Sequence, residues 1–260
     1  MKLSILIPVY NEADTIESVI EKVLTSLPDI DKELVIVDDG SGDGTRERLE
    51  GLFGRALREH ELAPLSLTSV DYRDLCTVRL VFLDANRGKG GALQVALRVC
   101  TGDVIVIQDA DLEYEPGDLQ GMYDLIVRRR VADVVYGSRF YGKPHRSLYF
   151  HHYVANRLIS LLFNILYNQT LTDIEVCYKM FTRDVLRTLH ITCDDFGFEI
   201  QISAQIALGA HWRVYEVGIH YFGRTYAEGK KIGWRDGLKA LWYLVKFRVS
   251  PGNSRPNLLC

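Results

Sequence analysis

The sequence predicts an α/β protein with a mostly parallel central sheet flanked by helices, and three observations support this fold class. Short, nearly continuous apolar runs of the kind that buried parallel strands require recur along the chain. Segments with apolar residues at helical spacing alternate with them. Polar residues and glycines follow several runs directly, as expected where strands of a wound sheet end. The five runs are LSILIPV, ELVIVDD, VRLVFLD, VIVIQDA and DVVYGS.

The segments between these runs carry the helical pattern. Residues 13–27 place apolar side chains at intervals of three and four, and 90–100 and 117–130 are similar. After Gly137 the strict alternation weakens and helical patterns dominate. The repeated change from strand to helix therefore predicts βαβ units.

The composition is that of an ordinary globular protein. The 260 residues are 47% apolar and 25% charged, and the net charge is −3. A general nucleic-acid binder would carry a basic excess, so no nucleic-acid partner is expected. Without internal repeats, we predict one domain over 1–249, with an irregular polar insertion near 51–77 and a C-terminal tail at 250–260.

No segment predicts export or membrane insertion. The first apolar run is too short for a secretory signal and lacks a small-residue cleavage site. The longest apolar stretch, 153–167, falls short of the roughly 18 residues of a membrane span. The five cysteines show no CxxC spacing, so neither a disulfide framework nor a zinc site is indicated. We expect a cytoplasmic protein.

Polar segments follow the first four predicted strands: PVYNE, DDGSGDGT, DANRGKGG and DADLE. Strand ends of a wound sheet meet at one edge and form binding sites there. Asp38 or Asp39 in the second segment can accept hydrogen bonds from a ribose or a base. The glycines match neither the GxxxxGK[ST] P-loop nor the GxGxxG spacing. The pattern therefore indicates a ligand site without naming the ligand.

The fourth segment brings Asp109, Asp111 and Glu113 into one turn. Carboxylates this close repel one another unless a cation lies among them. Such oxygen ligands favour Mg²⁺ or Mn²⁺, usually shared with the phosphates of a substrate. The alternative is a solvated acidic turn before a helix beginning at Pro116. On the spacing of the two aspartates alone the alternative is favoured, because such turns are common.

Six segments in this order carry a resemblance: SILIPVYNE, VIVDDGSGDGT, NRGKGGAL, DADLEYEP, GSRF and GFEIQISAQIA. Together they resemble the family 2 glycosyltransferases of GT-A fold, specifically the dolichol- or polyprenyl-phosphate mannosyl and glucosyl transferases. The resemblance covers most of the chain apart from 51–77 and the final segment. Each segment alone is weakly specific, whereas six in order are strongly so.

The resemblance implies inverting transfer of a hexose from a GDP- or UDP-sugar, with Mg²⁺ or Mn²⁺. Asp109 would contact the nucleotide sugar, and Asp109, Asp111 and Glu113 would form the metal site, with Asp111 catalytic. The loop GRTYAEGKKIGW would close over the donor diphosphate; the alternative is a solvated basic turn. The other implied donor-binding residues are Pro8, Tyr10, Glu12, Asp38 or Asp39, Lys89, Arg224, Lys230 and Lys231.

The resemblance also implies a polyprenyl phosphate acceptor. Arg139 in GSRF matches an arginine that the family uses near the acceptor phosphate, and a guanidinium suits phosphate binding. Arg146 is a second candidate, with a surface arginine as the alternative. A lipid phosphate is already an anion, so transfer to it needs no base.

An alcohol acceptor would instead need a base to remove its proton. Asp173, Asp195 and Glu199 are the candidates, and Glu199 is preferred. The alternative role for Glu199 is an acid near a helix N-terminus.

The final helical pattern, 234–248, is amphipathic and basic. Such a helix can lie on a membrane surface or pack on the sheet. The apolar stripe alone favours packing, and the resemblance makes contact with the cytosolic membrane face equally expected. One face carries Trp234, Leu238, Leu241, Trp242 and Val245, and Arg235, Lys239 and Lys246 lie elsewhere.

Three other functions stay open. A soluble relative could transfer the sugar to a sugar or small-molecule hydroxyl. A non-catalytic nucleotide-binding module would not need the acidic triplet, and a Rossmann dehydrogenase would carry GxGxxG where this chain has PVYNE. Asp109, Asp111, Arg139 and Lys230 together favour the transferase.

Overall fold

The computed structural model describes residues 1–58, 70–73, 76–147, 149–209, 211–225 and 234–250. Nine strands in these residues form one sheet. They are β1 (Leu3–Val9), β2 (Lys32–Asp38), β3 (Leu57–Arg58), β4 (Val70–Arg73), β5 (Cys76–Phe82), β6 (Val104–Ile107), β7 (Val134–Ser138), β8 (Lys179–Thr182) and β9 (Val214–Gly218).

The sheet is mostly parallel, which confirms the predicted fold class. Its order is β3-β5-β2-β1-β6-β8-β7-β9, and β4 pairs with β5 outside this path. Only β4 and β8 pair antiparallel with their neighbours in the described sheet. The five predicted runs are β1, β2, β5, β6 and β7, and β1, β2 and β6 are buried along their whole length. The sequence pattern did not predict β8 and β9.

Helices cover the sheet, as the helical spacing predicts. The 13–27 pattern becomes α1, whose apolar face is buried, and the 117–130 pattern is a 3-10 turn, a short helix and a π-helical turn. Among the described helices none is long and apolar enough to cross a membrane. The helices are α1 (Ile16–Ser26), α2 (Thr45–Phe53), α3 (Lys89–Val99), α4 (Leu119–Tyr123), α5 (Phe150–Tyr167), α6 (Arg183–Leu186), α7 (Gly197–Leu208) and α8 (Trp234–Val249).

The segment expected to be an irregular insertion contains regular structure in its described part. β3 pairs with the end of β5 at Val81 and Phe82, and β4 pairs with its beginning. Together they take up backbone hydrogen bonds that β5 would otherwise leave open at its edge. Short strands of this kind carry too little apolar periodicity to be predicted from the sequence.

Candidate active site

A cavity of about 1010 Å³ opens at the carboxyl ends of the central strands, where a wound sheet is expected to bind its ligands. It extends from these strand ends to α5, α7 and α8. Most of the predicted site residues line it: Pro8, Tyr10, Glu12, Asp39, Lys89, Asp109, Asp111, Glu113, Arg139, Glu199 and Arg224. Two predicted donor-binding residues, Lys230 and Lys231, lie outside the described residues.

The structure separates the two aspartates that the sequence left as alternatives. Asp39 lines the cavity and accepts hydrogen bonds from the backbone N–H groups of Arg87 (2.7 Å) and Gly88 (2.8 Å). Asp38 is fully buried and lies 2.5 Å from the Nε atom of Arg46. Burial raises the pKa of Asp39 against the opposing effect of its two backbone hydrogen bonds. Of the two, only Asp39 faces the cavity.

Arg224 lies among the carboxylates of the acidic segment. Its guanidinium is 2.6 Å from Asp111 Oδ2 and 3.0 Å from Glu113 Oε1, and it lies 3.8 Å from Glu12 Oε1. Tyr221 donates a hydrogen bond of 2.7 Å to the other oxygen of Glu113. The guanidinium of Arg224 is therefore a positive charge among these carboxylates, where the sequence predicts that a cation is needed.

The acidic segment has an excess of negative charge around Asp111. Burial, with the charges of Asp109 and Glu113, raises the pKa of Asp111 to about 7 despite Arg224. No group of three or more His, Cys, Asp or Glu residues in the described part of the chain is arranged to hold a metal ion. Asp111 and Glu113 nevertheless both pair with the guanidinium of Arg224, and their oxygens are hard ligands. Mg²⁺ commonly uses one or two carboxylates plus substrate phosphates. These two residues therefore fit a divalent metal shared with a diphosphate.

Asp109 and Glu199 belong to a separate ion-pair network. The Lys89 Nζ atom lies 2.7 Å from Asp109 and 3.1 Å from Glu199, and Lys179 pairs with the second oxygen of Glu199. Burial opposes the charge of Lys89, but the carboxylate of Asp109, with that of Glu199, holds its pKa well above the usual value. Glu199 is 5% exposed. Held between two lysines, it is placed as an ion-pair partner rather than as a free proton acceptor.

The two arginines expected near the acceptor, Arg139 and Arg146, differ in their position relative to the cavity and in their bonding partners. Arg139 lines the cavity and makes a bidentate pair with the buried carboxylate of Asp173, at 2.7 Å for each bond. Arg146 is exposed, donates a hydrogen bond of 3.3 Å to the carbonyl of Gly223 and is not among the cavity-lining residues. Arg139 is thus positioned at the cavity, with its charge already matched by an acid.

The far wall of the cavity contains residues that sequence reasoning missed. They come from α5, from the turn before β8 and from aromatic positions beside the acidic segment, and include Tyr114, His151, His152, Asn156, Glu175 and Tyr221. Only Tyr114 could have been suspected, because it lies within the DADLEYEP segment. The others reach the cavity through tertiary packing.

The outer faces of α5 and α8 are apolar. On α8, three residues of the predicted face, Leu238, Trp242 and Val245, are each more than half exposed, whereas Leu241 is half-buried and packs against the core. The side chain of Trp234 lies outside the described residues. The buried face of α8 is formed by other residues, because the helix packs on α5 and α7 through Ala240 and Leu244. The exposed residues on α5 are Phe150, Tyr153, Val154, Leu158, Leu161 and Ile165.

The chain is similar in sequence to two transferases of Salmonella. An undecaprenyl-phosphate 4-deoxy-4-formamido-L-arabinose transferase of Salmonella choleraesuis (strain SC-B67) is 24% identical over 233 residues, which are 88% of this chain and 62% of that protein. The protein of the same name from Salmonella paratyphi B (strain ATCC BAA-1250 / SPB7) matches to the same extent. The chain therefore spans less than two thirds of the length of these relatives.

Solved structures share the fold. Glucosyl-3-phosphoglycerate synthase of Mycobacterium tuberculosis in complex with phosphoglyceric acid has a TM-score of 0.68 and 17% identity, over 97% of this chain and 81% of that one. Its complex with Mn²⁺, UDP and phosphoglyceric acid has a TM-score of 0.66 and 18% identity, over 97% and 80%. This likeness confirms the predicted GT-A fold. The model of the family described as Glycosyl transferase family 2 matches residues 4–189, more than half of the chain, and the chain therefore belongs to glycosyl transferase family 2.

Proposed function

We propose that this glycosyltransferase moves a hexose from a GDP- or UDP-sugar to a polyprenyl phosphate at a membrane surface. The observation that carries the proposal is the shape of the cavity. One end is lined by the polar strand ends with Asp39, Asp109 and Asp111, and the other by α5 and α8, whose outer faces are apolar. A nucleotide sugar with a divalent metal fits the polar end, the hydrocarbon tail of a lipid acceptor fits the apolar end, and Arg139 in the cavity wall suits the acceptor phosphate.

At the donor end, the chain offers groups suited to each part of a nucleotide sugar. Asp39, held by two backbone N–H groups, can accept hydrogen bonds from the nucleoside, and Tyr10 lies exposed on the same wall. Lys89 and Arg224 supply positive charge near the acidic segment. The diphosphate of the donor would therefore lie between these two cations.

A divalent metal fits Asp111 and Glu113, with Asp109 turned towards Lys89 as a contact for the donor sugar. When bound, Mg²⁺ or Mn²⁺ would neutralise negative charge that develops on the departing diphosphate. Arg224 occupies the space between the same carboxylates, so its guanidinium would be released from them and become available to the diphosphate. The solved Mycobacterium tuberculosis relative, which contains Mn²⁺ and UDP, supports this part of the proposal.

In the transfer step, an oxygen of the acceptor phosphate forms the new bond to the anomeric carbon. The bond between that carbon and the diphosphate breaks, and its electron pair leaves with the nucleoside diphosphate. Displacement from the opposite face inverts the anomeric centre. No proton has to be removed from a phosphate nucleophile, which agrees with a Glu199 side chain already engaged by two lysines.

The faces of α5 and α8 support attachment to a lipid surface. Apolar residues at helical spacing are exposed on both helices, and the helices pack against each other. Basic residues accompany them: Lys246 lies 4.6 Å from the ring centroid of Trp242, and Arg248 donates a hydrogen bond of 2.9 Å to the carbonyl of Leu166. A basic amphipathic surface binds anionic membranes. The Salmonella relatives, named as undecaprenyl-phosphate transferases, support a lipid-linked acceptor.

The test is donor turnover by the purified chain with GDP-mannose, UDP-glucose or UDP-N-acetylglucosamine, with Mg²⁺ or Mn²⁺ or with EDTA. Each donor is offered farnesyl phosphate, and farnesol is the matched control that lacks only the phosphate. We expect turnover that needs the metal and the phosphate. Turnover with a simple sugar hydroxyl and none with farnesyl phosphate would contradict the proposal and would indicate transfer to a soluble alcohol instead.

The membrane part is tested separately by sedimentation with vesicles containing anionic lipid. Trp242→Glu should reduce vesicle binding while leaving turnover of dissolved farnesyl phosphate unchanged. Tyr215→Glu places the same charge on an exposed aromatic residue of β9, outside the two helices, and should bind as the wild type does. Equal binding by all three proteins would contradict a lipid-facing α8.

A further inference from the structure

Glu175 is a carboxylate in the cavity wall that the mechanism above does not use. It lies in the turn between α5 and β8, is partly buried and lines the cavity. Arg139 and Asp173 form their ion pair next to it along the wall. Within the described residues, the Glu175 carboxylate has no hydrogen bond and no ion pair.

The neighbouring cations are already matched by other acids. Arg139 is bidentate to Asp173, and Lys179 pairs with Glu199 and the carbonyl of Val176. Lys89 and Arg224 are paired with the acidic segment. Among the described residues, the ionised Glu175 is therefore a surplus negative charge close enough to Arg139 to interact with its charge.

The setting of Glu175 favours its neutral form. Burial raises its pKa to about 7, and the charge of Arg139 opposes this only in part. At neutral pH both the protonated and the ionised form of Glu175 are therefore populated. Among the described residues, the charged groups that act on it are Arg139 after β7, Asp173 on its own turn, Lys179 on β8 and Glu199 on α7. His151 and His152 of α5 line the same cavity.

We propose that Glu175 binds the acceptor phosphate: its protonated carboxyl donates a hydrogen bond to that phosphate, and its ionised carboxylate repels it. The inference rests on the proposed phosphate acceptor. When the phosphate binds an ionised Glu175, the carboxylate takes up one proton from solvent and keeps it during transfer. Glu175 is thus a binding residue and does not exchange a proton with the reacting oxygen.

The first experiment measures the KM for farnesyl phosphate across the neutral pH range in three proteins. Glu175→Gln is an uncharged isostere that retains a hydrogen-bond donor. Glu47→Gln removes an exposed carboxylate on α2, and is the matched control. The ionisation of farnesyl phosphate affects all three proteins equally. The difference between their KM profiles therefore reports the ionisation of Glu175 alone.

The wild-type KM should rise about tenfold from about pH 6.5 to about pH 8.5 relative to Glu175→Gln. The variant should keep kcat within about twofold, and Glu47→Gln should follow the wild type. Parallel profiles for Glu175→Gln and the wild type would overturn the proposal. A large loss of kcat in Glu175→Gln with an unchanged KM would also overturn it, because Glu175 would then act in the transfer step.

Calorimetry of farnesyl phosphate binding in two buffers of different ionisation enthalpy provides a readout besides activity. The wild type should take up more protons than Glu175→Gln at a pH above neutrality, and equal uptake would contradict the proposal. If the wild type uses farnesyl phosphate but the variants do not differ, only the role of Glu175 fails. If the wild type neither binds nor uses it, the proposed function fails and the role of Glu175 fails with it.

Discussion

Two acidic residues, Glu33 and Asp111, lie at opposite ends of the parallel strands and have different charged neighbours. Glu33, near the start of β2, accepts hydrogen bonds from Ser4 Oγ (2.5 Å) and Thr101 Oγ1 (2.8 Å), and lies 3.2 Å from Arg79 Nε. Asp111, after the end of β6, faces two more carboxylates and one arginine. Both are largely removed from water.

The pKa values of the two groups move in opposite directions. Burial raises both, but at Glu33 the hydrogen bonds from Ser4 and Thr101 outweigh it and lower the pKa to about 2. At Asp111, burial and the neighbouring carboxylates act together and raise the pKa to about 7. At the amino ends of the strands, the buried charge of Glu33 is thus balanced by neighbouring groups of the protein, and this stabilises the fold. The carboxyl edge retains unbalanced charge of the kind found at functional sites.

The largest effect is expected at the amino edge. Glu33→Gln should lower the free energy of unfolding by about 3 to 5 kcal/mol, because it removes the buried negative charge that Arg79, Ser4 and Thr101 bind. Urea denaturation measures the change. Glu17→Gln removes an exposed acid paired with Arg48 at 3.1 Å, and should cost less than about 1 kcal/mol. Equal losses in the two variants would contradict the structural role of Glu33.

At the carboxyl edge, Asp111→Asn should reduce donor turnover about 100-fold or more, because a ligand of the proposed metal is lost. Its free energy of unfolding should not fall, since the variant removes a charge that burial and neighbouring acids disfavour. Turnover with Mg²⁺ or Mn²⁺ and urea denaturation are measured on the same preparation. Near-normal turnover would remove Asp111 from the metal site.

The smallest effect is a difference in the pH dependence of stability. The folded pKa of Glu33 lies below its usual value of 4.5, so its contribution is present above that value and is lost as pH falls towards about 2. The folded pKa of Glu175, about 7, lies above its usual value, so stability is lost as pH rises from 4.5 through about 7.

Glu175→Gln should therefore gain stability relative to the wild type between about pH 5 and about pH 8, by no more than about 2 kcal/mol. Urea denaturation at the two pH values measures the gain, with Glu47→Gln as the control. A difference between variant and wild type that stays constant with pH would show that Glu175 does not hold a proton in the folded protein.

Local patterns predicted the framework of the fold. The five apolar runs became β1, β2, β5, β6 and β7, because strands buried on both faces must be apolar throughout. β8 and β9 were missed, since the KMFT sequence of β8 is not a continuous apolar run and β9 is incompletely buried along its length. Their pairing with β7 depends on contacts distant in sequence.

The strand-end motifs likewise predicted which residues would meet, because parallel strands bring their carboxyl ends to one edge of the sheet. The sequence alone therefore predicted the family, five of the nine described strands and the part of the cavity wall that the strand ends form. Only the tertiary structure decided that Asp39 rather than Asp38 faces the cavity and that Arg224 lies among the acids. It also brought Glu175 to the cavity, where its carboxylate has no hydrogen bond or ion pair with the described residues. These outcomes depend on side-chain direction and on charges supplied by distant segments, and no local pattern encodes them.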